Sequence, residues 1–308
     1  MQDGAFPTCP YPNPEVREAL ELGLELCEET KADLLFATDP DCDRLGIAVP
    51  HGGEYVLLSG NEVGLLLLDM LAERAAGSGE DLSRRVAVTT VVSAPMADDL
   101  ARAYGLELRR TLTGFKFVGE QIGLLESQGR EADFLFGFEE SYGYLAGTHA
   151  RDKDAVVSSV LVCELVAHWK ARGLDLYEAM QRLYAEHGFW ASALLSKAYE
   201  GPEGAADMAA IMAGLRANPP AELAGVPVDQ FVDYAVGAEM PAVNPSDPKP
   251  QQLPRADVLE LLLAGGSRAI VRPSGTEPKV KAYVFATEAT VEGPTPFLHP
   301  YQPKSSPS

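Results

Sequence analysis

The chain has 308 residues, with 25 Lys and Arg against 45 Asp and Glu, and therefore a formal charge of −20. A chain this acidic lacks the basic face that a nucleic acid needs, so we expect no nucleic-acid partner. A small anionic ligand stays open, because a phosphate site needs only a few local cations and backbone N–H groups. The 46% of hydrophobic residues excludes wholesale disorder and allows about two domains of ~100–200 residues each.

The sequence carries no sign of export or of a membrane span. Four cysteines are scattered without a CxxC pair, which favours free thiols in a reducing compartment. The amino terminus has neither the basic nor the apolar region of a signal peptide. The longest strongly apolar stretch, residues 63–71, is far shorter than the ~20 residues of a membrane helix. We therefore expect a cytoplasmic protein without a membrane partner.

Residues 1–57 form the first predicted unit. We expect Asn13 to cap a helix that has Pro14 at its first position and runs to about Thr30. Two short apolar strands are predicted on either side of an acidic loop, at 33–37 and 45–49.

Residues 58–188 alternate between helical and strand patterns, which is typical of an α/β domain with a largely parallel sheet. The predicted helices are 61–76, 96–104, 115–128, 154–172 and 174–187. The predicted strands are 85–92, 106–112 and 133–138. Gly105 and Gly173 follow helical segments and are expected to end them.

Residues 189–289 predict a smaller α+β domain. Two segments rich in Gly, Ala or Pro, 201–226 and 241–254, are expected to be long surface connections. The predicted strands are 230–234, 258–263, 268–271 and 280–286. The tail 290–308 is rich in proline and serine without apolar periodicity, and we expect it to be disordered.

An acidic loop between the first two strands is the strongest chemical signal. Asp39, Asp41 and Asp43 alternate along the loop, so their side chains point the same way in an extended backbone. Carboxylates ~4 Å apart repel one another, and a set of oxygen ligands suits Mg²⁺ or Mn²⁺. A calcium EF-hand is excluded, because Arg44 and Pro50 replace its Gly and Glu. The alternative is an acidic turn whose aspartates only cap and solvate.

Residues 272–279 hold a cluster suited to phosphate. Arg272, Ser274, Gly275, Thr276 and Lys279 supply a guanidinium, hydroxyls, a close backbone approach and an ammonium. The spacing is not that of a P-loop. An ordinary β-turn with flanking charges remains the alternative.

Three further segments carry polar groups at element ends. Residues 137–143 follow a predicted strand, where α/β folds bind ligands, and offer Glu139, Glu140 and Ser141 to sugar hydroxyls. The alternative there is a solvated turn. Residues 111–116 and 151–154 each open a helix, whose amino terminus favours anions.

The helix-opening segments also have a structural interpretation. Asp152 and Asp154 are then amino-terminal caps, and Arg151 and Lys153 are plain surface charges.

Taken in order, four of these motifs resemble the α-D-phosphohexomutase superfamily of phosphoglucomutases and phosphomannomutases, over residues 3 to about 286. Residues 39–44 resemble its magnesium loop, 111–116 its third-domain loop, 137–143 its sugar-specificity loop and 272–279 its phosphate-binding loop. The sequences of residues 111–116, 137–144 and 151–156 resemble those of the phosphoglucomutase/phosphopentomutase branch. A typical phosphomannomutase has His where Phe115 stands.

The resemblance implies an α/β fold class with three mutase domains. Residues 1–57 would be part of the second α/β domain with the metal loop, and 58–188 a complete α/β third domain with the sugar loop. Residues 189–289 would be the smaller α+β fourth domain with the phosphate loop.

The resemblance also implies phosphoryl transfer through a bisphosphorylated sugar, a chemistry of positioning and charge cancellation. Arg44 and Lys153 would be catalytic, and Asp39, Asp41 and Asp43 would hold Mg²⁺. The implied substrate-binding residues are Thr113, Gly114, Lys116, Glu139, Ser141, Arg272, Ser274, Gly275, Thr276 and Lys279. The partners would be glucose 1-phosphate, glucose 6-phosphate and glucose 1,6-bisphosphate, or ribose phosphates.

The family's nucleophile lies in a segment like Thr-Ala-Ser-His-Asn-Pro, and these residues contain no Ser-His-Asn run. We therefore expect the carboxyl-terminal portion of a mutase, inactive alone. A non-catalytic sugar-phosphate-binding module is the first alternative. A Mg²⁺-dependent phosphatase with Asp39 as nucleophile is the second.

Overall fold

The computed structural model describes residues 4, 6–9, 11–199, 203–247, 249, 251–274 and 279–287. The chain divides into two compact units. The first comprises Met1–His187 and Glu239–Pro254, and the second Gly188–Ala238 and Arg255–Ser308. Both combine helices with sheets, which confirms the α/β class. The predicted disordered tail 290–308 lies outside the described residues.

The elements up to residue 187 follow the predicted alternation, with two further strands, at 54–58 and 143–146, that were not predicted. In chain order they are α1 (Arg17–Thr30), β1 (Leu35–Thr38), β2 (Leu45–His51), β3 (Glu54–Leu58), α2 (Gly60–Gly77), β4 (Val86–Thr90), α3 (Met96–Tyr104), β5 (Glu107–Thr111), α4 (Phe115–Ser127), β6 (Phe134–Glu139), β7 (Gly143–Ala146), α5 (Ala155–Lys170) and α6 (Leu176–His187). Gly105 is left-handed at the end of α3, as expected of a C-cap.

The elements after residue 187 are, among the described residues, mainly strands, with one α-helix. They are β8 (Trp190–Ala198), α7 (Gly204–Ala217), β9 (Glu222–Leu223), β10 (Val226–Asp233), β11 (Ala242–Val243), β12 (Leu259–Leu263), β13 (Arg268–Pro273) and β14 (Lys279–Thr287).

The first sheet is antiparallel, in the order β1-β2-β3, and α1 packs on one of its faces. Leu20 and Leu24 of α1 lie against Ala48 of β2. Strand β3 was not predicted, although Gly52 and Gly53 with positive φ before it are a hairpin signal. This sheet holds the acidic loop between two neighbouring strands.

The predicted start of α1 is wrong. The helix begins at Arg17, and its N-cap position, Val16, makes no side-chain capping bond. Asn13 Oδ1 instead accepts a hydrogen bond from the Glu15 amide at 3.0 Å. This local turn satisfies Asn13 before the helix begins, because an Asn side chain competes with helical hydrogen bonding.

The second sheet of the first unit has the order β11-β5-β4-β6-β7. Strand β4 is parallel to both β5 and β6, while β7 and β11 are antiparallel at the two edges. The loops that follow β4, β5 and β6 therefore lie at one edge of the sheet, where α/β proteins bind ligands.

The second unit contains a six-stranded antiparallel sheet in the order β8-β14-β13-β12-β10-β9. The prediction of a surface connection at 201–226 is wrong, since α7 occupies most of it. Its alanines and methionines favour a helix more than its glycines oppose one. Strand β8 was also not predicted, because its mixed small and polar residues form a strand through pairing with β14.

The segment 241–254 is not simply a surface connection, because β11 pairs with β5. Asn244 follows β11 with a positive φ of 47°. Its side-chain amide donates to Ala101 O and Leu106 O, each at 3.1 Å. This side chain ties the returning segment to the end of α3.

We predict that Asn244→Ala lowers the free energy of unfolding by about 3 kcal/mol, because it removes two hydrogen bonds and leaves a Cβ-bearing residue in a left-handed backbone. Asn244→Gly removes the hydrogen bonds alone and should cost about 2 kcal/mol. Urea unfolding of both variants checks this. If both variants unfold with the free energy of wild type, the side chain of Asn244 does not stabilise the contact with α3.

Within the described residues, no helix combines the length and the apolar character needed to cross a membrane. The four cysteines, Cys9, Cys27, Cys42 and Cys163, are free thiols, as predicted.

Candidate active site

The acidic loop brings three carboxylates together. One oxygen from each of Asp39, Asp41 and Asp43 lies within 4.8 Å of the others. Asp39 is buried, Asp43 is half-buried and Asp41 is exposed. The loop therefore has one carboxylate anchored in the protein and one that reaches solvent.

Asp39 organises the loop. Its Oδ1 accepts hydrogen bonds from the amides of Asp43 at 3.1 Å and Arg44 at 3.0 Å, and its Oδ2 accepts from Arg44 Nε at 2.7 Å. Burial alone would raise the pKa of Asp39, but these donors outweigh it and lower the pKa from 3.8 to about 2. Asp39 is thus ionised and holds Arg44 in place.

This depressed pKa predicts a pH-dependent contribution to stability. Because the pKa is about 2 in the folded chain and 3.8 as the reference, ionised Asp39 contributes about 2 kcal/mol above pH 5. The contribution is lost as the pH falls through 3.8 towards 2, with roughly half remaining at pH 3. Urea unfolding of wild type and Asp39→Asn should show that the difference between their free energies of unfolding is smaller at pH 3 than at pH 6.

Asp33→Asn is the matched control, because Asp33 is an exposed aspartate of the same unit. Its free energy of unfolding should stay close to that of wild type, because it removes only a surface ion pair with the exposed Lys170. If the difference in free energy of unfolding between wild type and Asp39→Asn is the same at both pH values, the lowered pKa of Asp39 is contradicted.

The loop fits a divalent cation. Asp43 Oδ1 is buried and, in the described part of the chain, accepts no hydrogen bond, although Arg44 Nε lies 3.7 Å away. Burial and the adjacent Asp39 raise the pKa of Asp43 despite the nearby Lys153. A buried carboxylate oxygen without a donor, beside the exposed Asp41, is an arrangement that a hard oxygen-binding cation would stabilise.

Lys153 connects the acidic loop to the turn between β6 and β7. Its Nζ lies 2.9 Å from Asp43 Oδ2, 3.8 Å from Glu139 Oε1 and 3.1 Å from Asp152 Oδ1. Burial would lower the pKa of Lys153, but the carboxylates of Asp43 and Glu139 raise it. Its charge is therefore retained, and it lies 5.6 Å from the centre of the Phe115 ring.

Gly143 makes room for this lysine. A Cβ at Gly143 would lie 2.6 Å from Lys153 Cγ and closer still to Cδ, which is nearer than real Cβ contacts come. The glycine at the start of β7 is therefore needed for Lys153 to reach Asp43.

The turn at 139–143 carries the predicted sugar-binding residues. Glu139 is buried, and burial raises its pKa, opposed by Lys153 and by the Ser141 hydroxyl bonded to it. The turn also meets the acidic loop through the backbone, since the Leu45 amide donates to Tyr142 O at 2.9 Å. A β-bridge joins Arg44 to Gly143.

The predicted third-domain loop lies where α4 begins. Gly114 is the N-cap residue of α4, with a φ of 116°. Thr113 and Gly114 are half-buried, and Lys116 is exposed with its Nζ 4.8 Å from the centre of the Phe117 ring. These residues follow β5 and so lie at the edge of the sheet where α/β folds generally bind ligands.

The predicted phosphate loop belongs to the second unit. It joins β13 to β14, and the Ser274 amide donates to Lys279 O at 2.7 Å. Arg272 is the penultimate residue of β13, and its buried Nε makes no hydrogen bond among the described residues. Gly275 and Thr276 lie outside the described residues.

Sequence reasoning missed two residues that contact the acidic loop or the turn at 139–143. Glu15 Oε1 lies 3.2 Å from Arg44 Nη1, and no spacing in the sequence links the two. Thr90 at the end of β4 donates to Glu140, and its place at a strand end was a usable signal.

Three family models match the chain. Phosphoglucomutase/phosphomannomutase alpha/beta/alpha domain II matches residues 1–53, alpha/beta/alpha domain III residues 59–187, and the C-terminal domain residues 206–292. The chain belongs to the α-D-phosphohexomutase superfamily of phosphoglucomutases and phosphomannomutases, which confirms the resemblance.

Its curated relatives carry the names of mutases. The chain is 36% identical to a protein of Haemophilus influenzae named as a probable phosphomannomutase, over 92% of this chain and 52% of that one. It is also 36% identical to a Staphylococcus aureus phosphoglucomutase, over 92% of this chain and 50% of that one. The chain thus spans about half the length of these relatives.

The fold is also found in solved structures. The phosphoglucomutase parafusin from Paramecium matches with a TM-score of 0.60 at 22% identity, covering 90% of this chain and 46% of that one. A phosphoglucomutase/phosphomannomutase family protein from Burkholderia thailandensis matches with a TM-score of 0.60 at 19% identity, covering 93% and 49%.

Proposed function

We propose that this chain carries the cation-binding, sugar-binding and phosphate-binding loops of a phosphoglucomutase-type enzyme. The whole enzyme interconverts a sugar 1-phosphate with the 6-phosphate, or the 5-phosphate of a pentose, through a bisphosphate. The contact of Lys153 with both Asp43 and Glu139 carries the proposal, because it joins the acidic loop to the turn at 139–143.

In this proposal Asp39, Asp41 and Asp43 hold Mg²⁺, which supplies positive charge to a transferring phosphoryl group. Arg44, held by Asp39 and Glu15, presents its remaining N–H groups to the same phosphate.

Lys153 carries positive charge beside Glu139, and supplies a proton or cancels developing charge on a sugar oxygen. Glu139 accepts hydrogen bonds from the sugar hydroxyls, and the hydroxyl of Ser141 donates to them or accepts from them. Thr113, Gly114 and Lys116 contact the substrate from the start of α4.

Arg272, Ser274, Gly275, Thr276 and Lys279 bind the phosphate that is not transferred. The buried Nε of Arg272 supports this role, since among the described residues it has no hydrogen-bond partner. The proposal keeps the domain division 1–57, 58–188 and 189–289. It also places the protein in the cytoplasm, in keeping with its four free thiols.

Two measurements test the proposal. Calorimetry should show that glucose 1,6-bisphosphate binds the chain in the presence of Mg²⁺ more tightly than inorganic phosphate does. A coupled assay of glucose 1-phosphate to glucose 6-phosphate should show no turnover by this chain, because its 308 residues contain no Ser-His-Asn run. Equal affinity for the two ligands would contradict sugar recognition, and robust turnover would show that another residue is the nucleophile.

The missing Ser-His-Asn run also supports a second candidate, a sugar-phosphate-binding module without catalysis. A serine-motif segment encoded immediately upstream and in frame would favour the enzyme. Its absence from the nucleotide sequence would favour the module.

A phosphatase with Asp39 as nucleophile is disfavoured by the geometry. Both oxygens of Asp39 accept hydrogen bonds, and its pKa of about 2 marks a weakly basic carboxylate. An aspartyl-phosphate adduct at Asp39, found by mass spectrometry after mixing with a phosphate ester, would reverse this conclusion.

A further inference from the structure

Glu140 is the one residue of the Glu139-Glu140-Ser141 triplet to which the proposed function gives no role. Its Oε2 accepts hydrogen bonds from Thr90 Oγ1 at 3.0 Å and from Ser93 Oγ at 3.4 Å. The two hydroxyls also lie 2.9 Å from each other. The carboxylate is therefore bound to the end of β4.

The partners of Glu140 are held firmly. Thr90 and Ser93 are fully buried. Arg110 donates to Thr90 O at 2.9 Å, Ser93 O at 3.1 Å and Ala94 O at 2.9 Å. Because a buried guanidinium binds three carbonyls of this segment, the hydroxyls that meet Glu140 have little freedom to move.

The backbone of the same turn rests on α2. Gly60, the first residue of α2, lies so near Glu140 O and Tyr142 N that no Cβ would fit between them. Tyr142 has a positive φ of 64°, a conformation that a non-glycine residue adopts at a cost. A strained turn of this kind persists only where its surroundings hold it.

We propose that Glu140 is a positioning residue, whose bond to Thr90 and Ser93 at the end of β4 holds the turn at 139–143 so that Glu139 and Ser141 meet the hydroxyls of a sugar phosphate. This inference rests on the proposed function. It states that the hydrogen bonds of Glu140 to Thr90 and Ser93 are needed for the site to prefer a sugar phosphate over inorganic phosphate. Glu140 itself makes no contact with the sugar.

The test compares Glu140→Ala, Glu140→Gln and Thr90→Val in the full chain, with Glu120→Ala, an exposed glutamate of α4, as the control. Glutamine keeps an oxygen that accepts from both hydroxyls, whereas Thr90→Val removes the main donor without changing its shape. Amide hydrogen exchange is followed in a peptide covering residues 136–146. Calorimetry measures the affinities for glucose 1-phosphate and for inorganic phosphate.

Glu140→Ala and Thr90→Val should speed exchange in the turn at least about tenfold, while exchange elsewhere in the first unit stays at the wild-type rate. Both should weaken glucose 1-phosphate binding about tenfold and leave inorganic phosphate binding unchanged. Glu140→Gln and Glu120→Ala should behave as wild type.

Unchanged exchange in the turn, or faster exchange throughout the first unit, would overturn the positioning role. Equal losses for glucose 1-phosphate and inorganic phosphate would overturn the assignment of sugar discrimination. If wild type does not prefer glucose 1-phosphate to inorganic phosphate, the proposed function fails. The exchange measurement then still decides whether Glu140 anchors the turn.

Discussion

Gly60→Ala is expected to lower the free energy of unfolding by about 3 kcal/mol, because it forces a methyl group into a closed backbone contact. The added Cβ would lie 2.7 Å from Tyr142 N and nearer still to Glu140 O. Both are backbone atoms of a turn already tied to β4 and to the acidic loop. Urea unfolding at neutral pH measures the loss.

Gly77→Ala is the matched control, since Gly77 ends the same helix and a Cβ there meets nothing within 4 Å. This change should leave the stability unaltered or raise it by up to about 1 kcal/mol, because alanine favours a helix more than glycine does. Equal free energies of unfolding for Gly60→Ala and Gly77→Ala would show that the turn at 139–143 does not pack closely against Gly60.

The second large effect concerns the divalent cation. Asp41→Asn should weaken Mn²⁺ binding at least about tenfold with no change in melting temperature, because the exposed Asp41 supplies ligand charge without supporting the fold. Asp39→Asn should weaken Mn²⁺ binding and also lower the melting temperature, because Asp39 accepts three hydrogen bonds within the loop. Calorimetry and thermal unfolding of each variant separate the two effects.

Asp33→Asn serves as the control for a lost surface carboxylate, and should bind Mn²⁺ as wild type does. If Asp41→Asn also binds Mn²⁺ with wild-type affinity, the acidic loop is a solvated turn rather than a cation site.

Local patterns predicted most of the elements that bear on the site, but not β7, which begins at Gly143. The acidic loop lies between β1 and β2, as the two apolar runs indicated, and the alternation after residue 58 gave the parallel core of β4, β5 and β6. Strands β4 and β6 were predictable because they are short, buried and largely apolar runs that contrast with the helices between them.

Elements that depend on distant pairing were not predictable in the same way. Strand β8 has a mixed pattern and forms along nine residues of β14, and β11 forms because a returning segment reaches the free edge of β5. Helix α7 was missed for a different reason, since glycine and proline around it suggested a loop.

The side-chain contacts of the site could be predicted only in part. The spacing of Asp39, Asp41 and Asp43 indicated their convergence. The contact of Lys153 with Asp43 could not be inferred from spacing, because it depends on how α5 follows β7 and on the absence of a side chain at Gly143.

The shared site of the acidic loop and the turn at 139–143 is tested most directly by paramagnetic relaxation. Mn²⁺ is added to the chain with glucose 1-phosphate labelled with ¹³C in its ring, and the relaxation of carbons C2 to C5 is measured in wild type and in Asp41→Asn. We predict strong enhancement in wild type that is largely lost in Asp41→Asn. Equal enhancement in both proteins, or none in wild type while both ligands are bound, would show that cation and sugar occupy separate places.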